Sequence, residues 1–462
     1  MLDGMKTIGG IERFAGQLIR PADVAYREAR RIWNDAIDRR PALIARCASA
    51  DDAAIALAHA LREGLPVAVR GGGHNVAGSA LVDGGVVIDF SGLRSVAVDA
   101  ERRIARVQPG ALWADFDRAT QVHGLAAPAG IVTHTGVAGL TLGGGFGWLS
   151  RRWGLVSDNL IAAQVLLADG SRVRAAEDEN EDLFWALRGG GGNFGIVTEF
   201  EFLLHPLGTT VLAGPLIYLS DQARDVLGFY RDFIRAAPDE LAVYLNLRSA
   251  PPLDWVPSEL RGRDVLLVIP CWSGDLEEGE AVLRPLRDFG PPAADLVRPK
   301  PYVGHQTMFD ASVPHHWGYY WKSHYLPPIS DGAVDTLLEH AWRKSAKTSY
   351  TLIFQLGGAI ARRPEDSSAA SGRDAMHALN INAAWAEGGS SHADIAWCRR
   401  FFSAMEPYAT GGVYVNFLHN DEGEARVRAS YGPRYERLVR IKSRYDPENV
   451  FRSNQNIKPV FG

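Results

Sequence analysis

The chain has 462 residues, 46% of them hydrophobic and 22% charged, too many for one compact core, so two or more domains are expected. Basic and acidic side chains number 49 and 54, a net charge of −5, and the basic ones form no stripe interleaved with aromatics, which excludes a nucleic-acid surface. Three scattered cysteines, Cys47, Cys271 and Cys398, fit neither a disulfide framework nor a paired metal or redox site, and no apolar run is long enough to cross a bilayer.

Met1 to Gly10 carries no apolar signal core, so the expected setting is reducing and cytoplasmic. The pattern then predicts a helix over Ala50–Leu61, stopped at Gly64, and an apolar strand, Pro66–Val69. That strand delivers the chain into Arg70-Gly71-Gly72-Gly73-His74-Asn75. Short strands are expected at Gly85–Asp89, Val96–Asp99 and Ile104–Val107, and a helix over Ala111–Gln121, closed by Gly124. Pro128 to Gly147 is poor in charge and dense in Gly and Thr, a composition for backbone that must lie close to something else. A strand over Leu160–Leu167 turns at Asp169-Gly170 into Val173. Leu183–Leu187 reads as a short helix before Arg188-Gly189-Gly190-Gly191-Gly192-Asn193-Phe194-Gly195, and Ile196–Leu203 as a strand.

From about 210 to 400 the texture becomes that of an α/β unit, with helices over Asp221–Ala236, Leu276–Phe289 and Gly332–Ser345 and strands over Val265–Ile269 and Tyr350–Leu356. The last segment offers a strand over Gly412–Leu418, a helix over Arg434–Tyr445 and an Asn/Gln-rich tail, expected to return to the first domain.

The 48 glycines are concentrated at 71–73, 143–147 and 189–195. An exposed turn needs one or two glycines, whereas a run of them makes backbone N–H groups approachable, and such a nest can cradle a pyrophosphate. Any one cluster is equally consistent with a tight turn; three together are not. None fits Gly-x-Gly-x-x-Gly directly after a first strand with a helix opening on it, and no Walker sequence ends in Gly-Lys-Ser/Thr. Taken alone, His74 is a core residue, a base or a nucleophile. His315 and His316 have no third ligand at metal spacing, so no metal is assigned.

Arg70 to Asn75, with Gly78 and Ser79, resembles the flavin-attachment loop of the berberine-bridge-enzyme-like FAD oxidoreductases, of the vanillyl-alcohol-oxidase class with a PCMH-type FAD domain. Pro128-Ala129-Gly130-Ile131, Gly136-Val137-Ala138-Gly139, Gly143-Gly144-Gly145-Phe146-Gly147, Gly154 to Asn159, Leu183 to Val197 and the tail Tyr445 to Ile457 recur in the family's order. The resemblance implies an α+β fold: a two-part PCMH-type FAD-binding domain, residues 1–208 with a core of about 38–208, an α/β substrate domain over 209–404 whose sheet covers the flavin, and a C-terminal segment, 405–462, returning to the FAD domain. It implies FAD on an 8α-histidyl bond to His74. Arg70, Gly71, Gly72, Gly73, Asn75, Gly78 and Ser79 would surround it from the first loop, and Pro128, Thr135, Gly136, Gly139, Gly143, Gly144, Gly145 and Gly147 from the second. Asp158, Asn159, Gly192, Gly195, Ile196, Val197, Tyr414 and Asn416 complete the cofactor set.

Two departures bear on mechanism. Members with a second, cysteinyl bond carry a cysteine where this chain has Val132, so that bond is not available. The Tyr-x-Asn-Tyr motif reads Tyr414-Val415-Asn416-Phe417, so the last phenol is lost. Arg373 follows Gly372 where the family often has a His-Arg pair. The candidate catalytic residues are therefore Tyr414 and Asn416, which alternate to one face of the expected strand, with Tyr320 and Lys322 on the strand around Tyr319–Tyr325 and Gln355 on the strand from Tyr350. Tyr320, Lys322 and His324 share one face of their strand, and Trp321, Ser323 and Tyr325 the other; only one face can line a pocket. The expected function is oxidation of a small organic alcohol or amine by hydride transfer to FAD, with molecular oxygen as acceptor. A dehydrogenase using another acceptor and a catalytically impaired flavin-binding protein stand as alternatives; no nucleic-acid or membrane partner is expected.

Overall fold

In the computed structural model the described residues are Ile11, 13–386, Gly389 and 391–460, so Met1 to Gly10, the stretch read above for a signal core, lies outside them. Strand Gln17–Ile19 pairs antiparallel with Leu43–Arg46, which continues in parallel into Val86–Asp89 and Val67–Arg70. All four residues of Val86–Asp89 are buried, as the central strand of a parallel sheet requires. Ala50–Arg62 is the crossover helix, capped by Ser49, whose side chain accepts from the Asp52 N–H.

A second sheet, antiparallel throughout, runs in the order Val96–Asp99, Ile104–Val107, Ile196–Leu203, Leu160–Leu166 and Arg172–Ala176. Arg70 closes its own layer: its guanidinium pairs with Asp89 at 2.5 Å and donates to the Ala29 carbonyl at 2.7 Å.

The third sheet has nine strands and includes Asp264–Trp272, Leu241–Ser249, Tyr350–Gln355, His377–Trp385 and Gly318–Leu326 as consecutive antiparallel neighbours. One face buries Leu241, Val243, Leu245, Ile353, Leu379 and Ile381 beneath the helices Ala223–Phe233, Asp331–Ala341 and His392–Met405. The other face carries Tyr244, Tyr350, Leu352, Phe354 and Trp321 toward the glycine-rich half. The Tyr435–Tyr445 helix lies in the core of the second sheet, where Lys442 is fully buried, pairs with Asp446 at 2.6 Å and donates to the Asn193 carbonyl at 2.7 Å.

One expected element differs in kind. Gly412–Leu418 is not a strand: among the described residues its backbone meets the third sheet at one bond, the Tyr325 N–H donating to the Gly412 carbonyl at 3.2 Å, and after Tyr414 the chain closes into a single 3₁₀ turn, Val415–Phe417. Its alternation of apolar and polar residues serves contacts with the glycine loops instead of a ladder.

Candidate active site

Between the glycine-rich half and the third sheet lies a cavity of about 310 Å³. Its lower wall is backbone. Gly71, Gly72, Gly73, Asn75 and Ser79 line it from the first loop, Thr135, Gly136 and Gly139 from the second, and Gly192, Gly195, Ile196 and Val197 from the third. The first two loops touch backbone to backbone: a Cβ on Gly72 would sit 2.4 Å from the Gly136 Cα, and one on Gly136 would sit 2.5 Å from the Gly72 nitrogen. Only glycine permits that approach. At Gly139 the reason differs, since a Cβ there would meet nothing within 4 Å and would project into the cavity itself.

His74 stands at the junction of this wall with the upper one. Its ring stacks on Trp33 at 4.1 Å, and the His134 ring lies 5.0 Å away. Burial, with the neighbouring imidazoles of His134 and His315 adding to it, holds His74 well below the usual imidazole range, so it is neutral. Its Nε2 is buried and has no hydrogen-bond partner among the described residues.

The upper wall is the third sheet. Trp321, Tyr350, Leu352, Phe354, Asn380 and Asn382 face the cavity, closed at the sides by Trp33, Val313, Ile131 and Val132. Tyr414 and Asn416 bridge the two walls. The Tyr414 hydroxyl accepts from the Gly145 N–H at 3.1 Å and from Asn416 Nδ2 at 2.7 Å, and Asn416 also donates to the Leu140 carbonyl at 3.3 Å. Phe417 packs edge-on against Tyr414 and Trp321, an apolar ring where the family motif has a phenol.

Several sequence candidates sit elsewhere. Tyr320 and Lys322 occupy the helix-covered face of their strand: both bond to Asp421 at 2.7 Å, and Lys322 also lies 3.4 Å from Glu422. Alternation separates the two faces correctly, but carboxylates about 100 positions later, at Asp421 and Glu422, decide which face keeps the charge. Gln355 falls out of the cavity by the same parity, its Oε1 accepting from the Val243 N–H at 2.8 Å. Among the cofactor candidates, Arg70 is consumed by Asp89, and Asp158 by Arg373 in a buried pair at 2.6 Å. Asn159 bonds to the Trp153 and Leu155 carbonyls and to His205. Pro128, Gly78, Gly143, Gly144, Gly145 and Gly147 lie outside the lining and act through packing. A Cβ at Gly78 would strike Ile37, at Gly143 Asn416, at Gly145 Val156 and at Gly147 the Ala129 carbonyl. Asn380 and Asn382 escaped notice in the sequence although their period-two spacing was the available signal, and so did Trp33, which supports His74.

The donor set suits a flavin dinucleotide: open space over glycine backbone for the pyrophosphate and an unpartnered neutral imidazole beside an aromatic chamber. Residues 41–176 match the family described as FAD binding domain, and residues 413–458 the one described as berberine and berberine like. An FAD-linked oxidoreductase of Bacillus subtilis is 31% identical over 97% of this chain and 98% of its own length. The chain belongs to the berberine-bridge-enzyme-like FAD oxidoreductases. The (R)-6-hydroxynicotine oxidase of Paenarthrobacter nicotinovorans is a further relative, 31% identical over 96% of this chain and 97% of its own. The crystal structure of 6-hydroxy-D-nicotine oxidase from Arthrobacter nicotinovorans superposes with a TM-score of 0.88 at 28% identity, covering 98% of this chain and 100% of that one. Xylooligosaccharide oxidase from Myceliophthora thermophila, at 23% identity and a TM-score of 0.85, covers 98% of this chain and 99% of its own and shares the two-domain fold. As a member of this family the chain is an FAD-dependent oxidoreductase.

Proposed function

We propose that this flavoenzyme carries its FAD on a single 8α-histidyl bond to His74 and oxidises a small organic molecule at a carbon bearing oxygen or nitrogen, with molecular oxygen as the acceptor. One observation carries the reading: a neutral imidazole whose Nε2 is buried and unpartnered stands at the edge of a cavity floored by glycine backbone. A neutral ring nitrogen has the free lone pair that a bond to carbon requires. Trp33 holds the plane of that ring by stacking, so little freedom is lost when the bond forms. Val132, which stands where relatives with a second, cysteinyl bond carry the cysteine, lines the cavity, and Cys47, Cys271 and Cys398 are buried outside the lining, which supports a single bond.

Bound FAD supplies the two-electron acceptor, and the chain supplies position and environment. The nests at Gly71–Gly73, Gly136–Gly139 and Gly192–Gly195 would hold the dinucleotide through backbone N–H groups, with Asn75, Ser79 and Thr135 at their edges. Trp321, Leu352 and Phe354 exclude water from the reacting carbon and confine the substrate to a plane. Tyr414, its oxygen already accepting two hydrogen bonds, directs its own proton to a third partner and so orients a substrate heteroatom.

The test is an anaerobic titration of the purified protein with small aromatic and aliphatic alcohols and amines, followed by admission of air. The proposal expects bleaching of the flavin absorbance by at least one of them, then full recovery with release of hydrogen peroxide. Bleaching without recovery in air would remove oxygen as the acceptor; a protein with no flavin absorbance would remove the reading altogether.

A further inference from the structure

One buried charge stands on the sheet face that forms the cavity's upper wall, adjoining the residues that line it. Arg248 is 5% exposed, and no carboxylate pairs with it among the described residues. Its Nε donates to the Ser249 carbonyl at 3.2 Å, and its guanidinium carbon lies 5.3 Å from the centre of the Tyr350 ring. Arg151, another buried arginine with no carboxylate partner among the described residues, instead spends its guanidinium on the carbonyls of Leu241, Leu356 and Ala237. Burial draws Arg248 down to about 10, which leaves it charged at neutral pH.

Register fixes where that charge stands. Arg248 is opposite Tyr350, Tyr350 opposite Asn382, and Asn382 opposite Trp321. Directly paired residues of antiparallel strands share a face, so Arg248 belongs to the row whose other three members line the cavity. In the next row Asn246 is opposite Leu352 and Leu352 opposite Asn380. Asn380 Nδ2, Asn382 Oδ1 and both amide atoms of Asn246 are buried without partners, and the Tyr350 hydroxyl makes no hydrogen bond among the described residues. Of these groups Asn380 Nδ2, Asn246 Nδ2 and the Tyr350 hydroxyl are donors and the two amide oxygens acceptors, and unmet donors beside an uncompensated cation are costly unless a ligand meets them. Among the described residues no aspartate or glutamate lines the cavity, so a protonated amine would lose its water there and find no counter-charge.

We infer that the sheet wall is an oxyanion subsite: it takes a planar aromatic ligand through an ionised oxygen, carboxylate or phenolate, to which Tyr350 and Asn380 donate while Arg248 supplies the counter-charge, and it turns away protonated amines. This rests on the cavity's being the substrate chamber of the proposed oxidase and narrows the substrate class of that site.

The test is calorimetric titration of the flavin-loaded protein, and of its Arg248→Met and Arg248→Lys variants, with benzoate, 4-nitrophenolate, benzyl alcohol and benzylamine. Benzoate or 4-nitrophenolate should bind at least about tenfold tighter than benzyl alcohol or benzylamine, and which of the two prevails tells carboxylate from phenolate. That margin should vanish in Arg248→Met and largely return in Arg248→Lys. The inference is overturned if the unaltered protein binds benzylamine or benzyl alcohol as tightly as both anions, or if neither anion binds at millimolar concentration. It is equally overturned if Arg248→Met, with its melting temperature and flavin spectrum unchanged, keeps the preference. The flavin spectrum of each sample is read first: a colourless protein defeats the oxidase reading, whereas a yellow one without anion preference defeats the subsite alone.

Discussion

Two buried cations stand on opposite faces of one sheet and have opposite fates. Lys322, beneath the helices, is met by Asp421 at 2.7 Å and Glu422 at 3.4 Å, and holds down the segment that follows Tyr414 and Asn416. Arg248, on the cavity face, is met by one backbone carbonyl and an aromatic ring. A charge neutralised within the chain is part of its architecture, and one left uncompensated in a cavity wall is a demand on a ligand. Arg373 with Asp158 and Lys442 with Asp446 belong to the first kind. Asp117 resembles the second: its Oδ2 accepts from Gln306 at 3.0 Å, its Oδ1 is unpartnered, and burial raises its carboxyl to about 7.

The contrast can be broken at several strengths. Asp158→Ala would leave Arg373 a buried cation without a counter-charge, held only by the Ile360 carbonyl and the Ser368 hydroxyl inside packed protein where no ligand can compensate, and should cost about 3–5 kcal/mol in denaturant unfolding. Asp117 gives a pH signature. Because its folded pKa is raised from 3.8 to about 7, folding favours the protonated acid, so its contribution is fully present below about pH 4 and is lost as pH rises through about 7. Unfolding measured across that window should show the parent chain losing up to about 4 kcal/mol relative to Asp117→Asn, with the loss complete above the upper end. An equal pH slope in both proteins would refute the assignment. Lys322→Met strands Asp421 and Glu422, but Arg399 and Arg426 remain beside them, so a loss of about 1–2 kcal/mol with an unchanged flavin spectrum is expected. Arg248→Met removes an uncompensated cation and should leave stability within about 1 kcal/mol or raise it. If it instead costs as much as Asp158→Ala, the difference between the two kinds of charge is wrong.

How much of this could be read from the residues follows the range of the forces involved. The glycine clusters and His74 were legible because close backbone approach admits no other residue at Gly72 and Gly136, and that constraint is written locally. Strand alternation was legible too, since Trp321, Tyr350 and Phe354 keep the parity that period two demands. What alternation cannot say is which face looks at the cavity. Tyr320 and Lys322 are chemically the more tempting pair, and only the return of Asp421 across the sheet claims them for structure. The tail from Gly412 failed differently: its pattern suits a strand, but Tyr414 and Asn416 are spent on Gly145 and Leu140, and after one bond to Tyr325 at Gly412 the backbone closes into a 3₁₀ turn instead of extending a ladder. Asp158 shows the converse case, a family motif residue whose partner, Arg373, lies 215 positions away.

The central claim, a flavin bound to the chain through His74, is tested most directly by acid precipitation of the purified protein and of His74→Ala, with flavin fluorescence read in pellet and supernatant. The account predicts that the fluorescence stays with the pellet in the parent chain and passes wholly to the supernatant in the variant. Flavin released from the parent, or retained by the variant, would contradict it.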